Sequence, residues 1–236
     1  MSADSKTIGA ETGKVYSQCK IIAFGDKFVF QIAGLIDNKI PNGWDARLIA
    51  KNIWKSESLH ESDAATLVQR VSDKWIEETK IIYSDPEYIK HKRKFQPESP
   101  VIANVVFAAT DKNGQLSARA VNVVFDIRAF DSTGKVALGY PFEDEVPGKW
   151  ITAGSSEIIG EYMDRSTPRA RAFMDKWDVA NAKLSSGARQ AALAREMIDL
   201  SIRLHPNRIK LGRPIEVVQI EPTKGIRWIA NENRCQ

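Results

Sequence analysis

The sequence predicts an α+β fold of four layers (αββα), in which two stacked antiparallel sheets are covered by helices. Three observations predict it. Segments with strand character occur in runs joined by turn sequences, segments with helical periodicity occur in pairs, and the first two strands carry few polar residues, as expected for a sheet covered on both faces. A chain of 236 residues can bury a sizeable core, and we expect a single domain over residues 1–236.

The first β region is predicted between Val15 and Gly34. Residues 20–24 and 27–33 are rich in Ile, Phe and Val, and Gly25-Asp26 between them is typical of a hairpin turn. Two amphipathic helices are predicted next, over 44–54 and 62–82, because apolar residues recur at helical intervals. Asp85-Pro86 ends the second helix, since the residue before a proline is displaced from the helical region.

The second β region is a hairpin over 101–109 and 117–125, with Asn113-Gly114 in its turn. Shorter strands are predicted at 135–138 and 149–152, around a loop at 141–148, and a helix after Gly154-Ser155-Ser156.

In the last third of the chain, Ser166-Thr167-Pro168 is interpreted as the start of a helical segment, because proline suits the first helical position. A helix rich in Ala, Leu, Arg and Met is predicted over 188–204, followed by a closing hairpin over 213–220 and 225–230.

Charge and cysteine usage exclude several classes of protein. The net charge of +4 comes from 34 basic and 30 acidic residues interspersed along the chain, which indicates a solvated surface and no nucleic-acid partner. The basic run at 90–94 is interpreted as a solvated helix end or loop, the alternative being contact with an anionic partner. No apolar run is long enough to span a membrane, and the N-terminus lacks a signal pattern.

The two cysteines, Cys19 and Cys235, lack metal-ligand spacing, and the three histidines lie elsewhere, so no metal site is predicted. A bridge between the cysteines is left open, and reduced thiols in a cytoplasmic protein are the default expectation.

Three short elements carry a resemblance to a known family. Ala3-Asp4-Ser5-Lys6 is followed by Lys20, sixteen positions after Asp4, and Ala33-Gly34 ends fourteen positions later. At these intervals the sequence resembles the proteasome-type N-terminal nucleophile hydrolases, the family of proteasome β subunits and their bacterial relatives. Weaker similarity lies in Ala153–Ser156, similar to the family's Gly-Ser-Gly element, and in Leu211–Val217, similar to its Gly-Gly-x-Ile-Asp strand.

The resemblance implies the four-layer hydrolase fold and hydrolysis of peptide or amide bonds without a metal or organic cofactor. In this chemistry a free N-terminal Thr, Ser or Cys attacks the carbonyl while its own α-amine acts as the base. By resemblance, Lys20 is the lysine whose field favours the deprotonated nucleophile, Asp4 is its partner, the Gly34 N–H donates to the oxyanion, and Ser155 supports the site. The alternative interpretations are a snorkelling surface lysine, a turn glycine and a helix N-cap serine.

The resemblance also implies a substrate pocket and partners. The pocket for an apolar substrate side chain would be lined by Gln18, Ile22, Ile32 and Ile36. Family members form rings, so a cytoplasmic homo-oligomer acting on a peptide or small amide is expected.

The sequence departs from the family pattern in two ways. Residues 206–210 contain neither the carboxylate nor the hydroxyl that the family has before its Gly-Gly strand. The nucleophile is expected one strand upstream, roughly a dozen residues before Met1. Three explanations stay open: a shortened active hydrolase, a non-catalytic structural subunit of a proteasome-like oligomer, or Ser2 as a new nucleophile after removal of Met1.

Overall fold

A computed structural model describes residues 2–4, 6–8, 15–34, 37–38, 44–60, 63–83, 101–124, 138–141, 167–177, 187–204, 215–221 and 223–231. The strands, in chain order, are β1 (Ser2–Asp4), β2 (Lys6–Ile8), β3 (Val15–Ser17), β4 (Ile21–Phe24), β5 (Phe28–Gly34), β6 (Asp37–Asn38), β7 (Trp44–Asp45), β8 (Val101–Thr110), β9 (Leu116–Val124), β10 (Leu138–Pro141), β11 (Ile215–Glu221) and β12 (Gly225–Asn231). The helices are α1 (Ala46–Glu57), α2 (Ala64–Tyr83), α3 (Pro168–Trp177) and α4 (Gly187–Leu204).

The strands form antiparallel sheets. The largest has five strands in the spatial order β10-β9-β8-β5-β4, and a second has three in the order β1-β11-β12. Two small two-stranded sheets pair β2 with β3 and β6 with β7. Every one of these pairings is antiparallel. The structure therefore confirms the prediction of an α+β chain with antiparallel sheets.

The three predicted hairpins turn at glycines with left-handed backbone. The φ values are 63° at Gly25, 78° at Gly114 and 73° at Gly225. Residues with a side chain rarely adopt this conformation, because the Cβ atom collides with the backbone. In the turn between β8 and β9, the Asp111 carboxylate accepts hydrogen bonds from the backbone N–H groups of Asn113 and Gln115, at 2.8 and 2.9 Å. These local interactions explain why the hairpins are readable from the sequence.

The largest core cluster joins helices α1 and α2 to the five-stranded sheet. At its centre the rings of Phe30, Trp75 and Phe107 lie 5.4 to 6.0 Å apart, in edge-on or tilted arrangements that favour aromatic contact. The Trp75 indole N–H donates to the carbonyl oxygen of Ala46 at 3.0 Å, so α2 is also tied to the beginning of α1.

A second cluster contains residues of both larger sheets. It comprises Ala3 of β1, Ile21 of β4, Val29 of β5 and Val218 of β11, with Ile220, Ile226 and Trp228 packed against it. Strand β5 therefore has both faces covered, since Phe28 and Phe30 lie in the helix-covered cluster and Val29 lies here. This arrangement agrees with the near absence of polar residues in its sequence.

Helix α4 packs on the three-stranded sheet. Ala191, Ile215, Val217 and Ala230 form the cluster between them, and Ile198, Ile202 and Ile229 pack against it. Helix α3 contacts α4 through Ala170, Phe173, Leu200 and Leu204. The N–H of Ala170 donates to the Thr167 hydroxyl at 3.1 Å, which confirms the predicted helix start at Thr167-Pro168.

Several boundaries differ from the prediction. Residues 44–45 form a strand paired with β6 instead of the first helical residues, and α1 begins at Ala46 because the Asp45 side chain caps it. Strand β10 extends over 138–141, although the sequence placed its strand at 135–138, because pairing of Leu138 with Val123 and of Pro141 with Val121 determines its position. The predicted strand at 149–152 and the helix after Gly154-Ser155-Ser156 lie outside the described residues.

Candidate functional site around Lys20

Lys20 lies immediately before β4 and is largely buried, with 9% of its surface exposed. Its carbonyl oxygen accepts a hydrogen bond from the backbone N–H of Ile32 at 2.8 Å, which joins it to the end of β5. A lysine at a strand start usually extends into solvent. Lys20 is instead largely covered by the surrounding protein, where interactions between charges are screened less than at the surface.

Glu216 on β11 holds the backbone at this point. One of its carboxylate oxygens, Oε2, accepts hydrogen bonds from the backbone N–H groups of both Lys20 and Ile21, each at 3.1 Å. Glu216 is fully buried, at 0% exposure. The sequence contained two signals for this residue: a carboxylate inside an otherwise apolar run of strand residues, and its place at the Asp position of the Leu211–Val217 element.

Strand β1 brings Asp4 into the same sheet as Glu216. In the antiparallel register of β1 and β11, Ala3 lies opposite Glu216 and Asp4 lies opposite Ile215. Ala3 and Ile21 belong to one core cluster, so the strand carrying Asp4 meets the strand that follows Lys20. The Asp4 side chain lies outside the described part of the chain.

Gly34 is the last residue of β5 and is exposed. Its φ of 115° is in the region that favours glycine, and it lies opposite Ala103 of β8. Because β4 and β5 are antiparallel, the start of β4 and the end of β5 are at the same end of the hairpin. Lys20 and Gly34 are therefore placed at one end of the sheet.

The predicted pocket residues lie in different surroundings. Gln18 is half-buried and precedes Lys20 by two positions. Ile22 packs at the margin of the cluster covered by α1 and α2, and Ile32 lies inside that cluster with 0% exposure. Ile36 and Ser155 fall outside the described residues. The structure thus places Ile22 and Ile32 on the helix-covered face of the sheet.

A second cation lies close to the start of β4. The Arg47 guanidinium donates to the Cys19 carbonyl oxygen at 3.4 Å and, through Nε, to the Asp45 carboxylate at 2.9 Å. Burial raises the pKa of Asp45, but the hydrogen bonds and charge of Arg47, with a further backbone bond from Leu48, outweigh it and leave the pKa below its usual value. The charged pair joins the first turn of α1 to the residue preceding Lys20.

Cys19 is disulfide-bonded. The default expectation of reduced thiols is therefore wrong for Cys19. The sequence could not show this, because a disulfide depends on which cysteines the fold brings together. Cys235, the other cysteine of the sequence, lies outside the described residues.

Of the helices in the described ranges, none is long and apolar enough to cross a membrane. Among the residues that the structure describes, no group of three or more His, Cys, Asp or Glu side chains is placed to hold a metal ion.

The chain is similar to known proteins in structure and not in detectable sequence pattern. No protein-family model and no curated protein matches the sequence. Among solved structures, the chain is similar to "Anbu (ancestral beta-subunit) from Yersinia bercovieri", with 14% sequence identity, 98% of this chain and 82% of that chain covered, and a TM-score of 0.41. At so low a TM-score, the proposal of function rests on the residues and contacts of this chain.

Proposed function

We propose that this chain is a proteasome-like N-terminal nucleophile hydrolase that cleaves peptide or amide bonds, with a four-layer αββα fold. The observation that carries the proposal is the burial of Lys20 at the start of β4, at the position where the spacing from Asp4 predicts the lysine of the site. The three-stranded sheet covered by α4 and the five-stranded sheet covered by α1 and α2 supply a layer order that suits this fold.

In the proposed mechanism, a Thr, Ser or Cys on a strand preceding Met1 attacks the substrate carbonyl. Its α-amine, with a reference pKa of about 8, accepts the hydroxyl or thiol proton and passes it to the leaving nitrogen as the C–N bond breaks. Water then hydrolyses the resulting ester or thioester and regenerates the nucleophile. The Lys20 ammonium stabilises the deprotonated nucleophile, Asp4 is the acidic partner of Lys20, and the Gly34 N–H donates to the developing oxyanion, a contribution of about 3 kcal/mol where such donors have been removed. Ser155 supports the site, and Gln18, Ile22 and Ile36 bind an apolar substrate side chain, while Ile32 lies fully buried in the core cluster covered by α1 and α2.

The second candidate is a non-catalytic structural subunit of a proteasome-like oligomer. One observation favours it: residues 206–210 read Pro-Asn-Arg-Ile-Lys, without the carboxylate and hydroxyl that the family has near its nucleophile. Both candidates assemble with copies of the same chain.

The test starts from the codons upstream of Met1. A chain extended in frame to a strand that begins after Thr, Ser or Cys is expected to hydrolyse small peptide or amide substrates, and Lys20→Ala should abolish the activity. Lys224→Ala is the matched control, because that side chain is 78% exposed and lies in the turn before β12. An extended chain that carries such a residue but stays inert would favour the structural subunit, whereas an active chain with equal activities of the two lysine variants would refute the role of Lys20.

A further inference from the structure

Strand β11 presents its side chains alternately to two environments, and Glu216 is on the face that packs between the sheets. Ile215 and Val217 lie in the cluster with α4, whereas Val218 lies with Ala3 and Ile21 between the sheets. Glu216 shares the face of Val218 and has 0% exposure. Packing alone would favour an apolar residue here, because a buried carboxylate costs stability unless hydrogen bonds and charges compensate for it.

The compensation comes from two consecutive backbone N–H groups. Those of Lys20 and Ile21 both donate to Oε2 of Glu216 at 3.1 Å. Among the described strands, β4 is at the edge of the five-stranded sheet, with β5 as its neighbour. A carboxylate that accepts from both N–H groups fixes the direction in which the chain enters β4, and with it the point from which the Lys20 side chain extends.

The same residue is fixed relative to β1. Glu216 lies opposite Ala3 in the register of β1 and β11, and its neighbour Ile215 lies opposite Asp4. One side chain therefore links the strand that carries Asp4 to the residue Lys20 across the space between the two sheets.

We infer that Glu216 is a positioning residue that sets where Lys20 stands relative to β1 and thus to the reacting atoms. The inference rests on the proposed hydrolase function, in which Lys20 is the cationic group of the site. Glu216 itself does not touch the substrate. Its contribution is to hold Lys20 in the one place where its charge acts on the nucleophile.

The first experiment uses the chain of 236 residues labelled with ¹⁵N. Glu216→Gln keeps the shape of the side chain but removes its charge, and Glu216→Leu removes the acceptor while filling the space. Both are expected to shift the amide resonances of Lys20 and Ile21 and to accelerate their hydrogen exchange by roughly tenfold or more, since charge-assisted bonds are lost. Val218→Ala is the matched control, because Val218 is on the same strand face and packs in the same cluster.

The outcome at the two amides decides whether Glu216 fixes Lys20. Acceleration at Lys20 and Ile21 in the Glu216 variants, with little change at Ile226 in β12, supports the inference. Equal acceleration in Val218→Ala, or unchanged exchange in both Glu216 variants, overturns it, since Glu216 would then be only one more packing residue. Because Glu216→Leu is apolar, it keeps the experiment interpretable if Glu216→Gln does not fold.

The second experiment measures kinetics in the extended chain. Glu216→Gln is expected to lower kcat about tenfold or more and to change KM by less than about twofold, because misplacing Lys20 affects the transition state and not substrate binding. Val218→Ala should retain the kcat of the unaltered chain even if it lowers Tm as much as Glu216→Gln does. If kcat falls equally in both variants, or in neither, the positioning role is refuted while the hydrolase function stands. If the unaltered extended chain is inert, the proposed function fails, and the amide exchange still decides the anchoring of Lys20.

Discussion

The backbone N–H of Ile226 donates to the carbonyl oxygen of Asp26 at 2.8 Å, which joins the turn of the β11–β12 hairpin to the turn of the β4–β5 hairpin. The contact is made possible by Gly225, where a Cβ atom would lie 2.4 Å from the same carbonyl oxygen. The two sheets are thus held together at this end by backbone atoms, while Glu216 links them at the start of β4.

Gly225→Ala is expected to destabilise the chain strongly. The left-handed backbone, with φ of +73°, costs about 1–2 kcal/mol for a residue with a side chain, and the overlap with the Asp26 carbonyl forces the turns apart. Thermal or urea unfolding measures the loss. Gly25→Ala is the matched control, because its φ is +63° but its Cβ would meet only the Trp54 ring, at 3.2 Å. Equal losses in the two variants would contradict the role assigned to the contact between the turns.

A second prediction concerns Arg119, whose guanidinium lies under α2. It donates to the Asp73 carboxylate at 2.6 Å and to the Ser72 hydroxyl at 2.5 Å. The Arg119 side chain is 10% exposed, whereas the Asp73 side chain is 53% exposed. In a double-mutant cycle of Arg119→Met and Asp73→Ala, we expect a favourable coupling of about 1 kcal/mol. The cycle cancels the change in helix propensity at Asp73. Additive losses of unfolding free energy would show that the pair contributes nothing.

The hairpins and helices could be predicted because their signals are local. Gly25-Asp26 and Asn113-Gly114 are each within a few residues of the strands that they connect, and the backbone at both glycines is left-handed as such turns require. The helical spacing of apolar residues predicted α2, and Val68, Val71 and Trp75, which follow that spacing, are buried. In each case one short segment contains the whole physical cause.

The arrangement around Lys20 could be predicted only in part. The interval of sixteen residues from Asp4 and the resemblance singled out Lys20, but the carboxylate that accepts from its backbone N–H lies 196 positions further along the chain. No periodicity or turn rule connects residues at that separation. The same reason explains why the disulfide at Cys19 and the pairing of β1 with β11 were not deduced, because both depend on how distant segments pack.

Asp45 gives a prediction about pH. Its carboxylate accepts hydrogen bonds from the N–H groups of Arg47 and Leu48 at the beginning of α1, and its pKa lies below the usual value. A lowered pKa in the folded state adds stability that is complete above the unfolded-state pKa of about 3.9 and is lost as the pH falls through the folded pKa. Asp45→Asn, which retains a capping oxygen, should therefore cost about 1 kcal/mol near neutral pH.

The measurement for Asp45 is the difference in unfolding free energy between the wild type and Asp45→Asn as a function of pH. The difference should stay constant above about pH 4 and shrink at lower pH, because the wild-type carboxylate then becomes protonated and neutral like the amide. A difference that is the same at low and neutral pH would show that the charge of Asp45 has no part in stability.

The disulfide at Cys19 gives the last prediction. A disulfide stabilises a fold chiefly by restricting the unfolded chain, by about 2–4 kcal/mol in typical cases. Addition of a reductant should therefore lower Tm, and Cys19→Ser should lower it by a similar amount and abolish the response to the reductant. Alkylation of the unfolded, unreduced chain followed by intact mass measurement checks the bond directly, since a bonded sulfur takes up no reagent. Full alkylation without reductant would refute the bond itself.

Because Cys19 adjoins Lys20, reduction also tests the start of β4. Faster hydrogen exchange of the Lys20 amide after reduction would show that the bond stabilises this part of the chain.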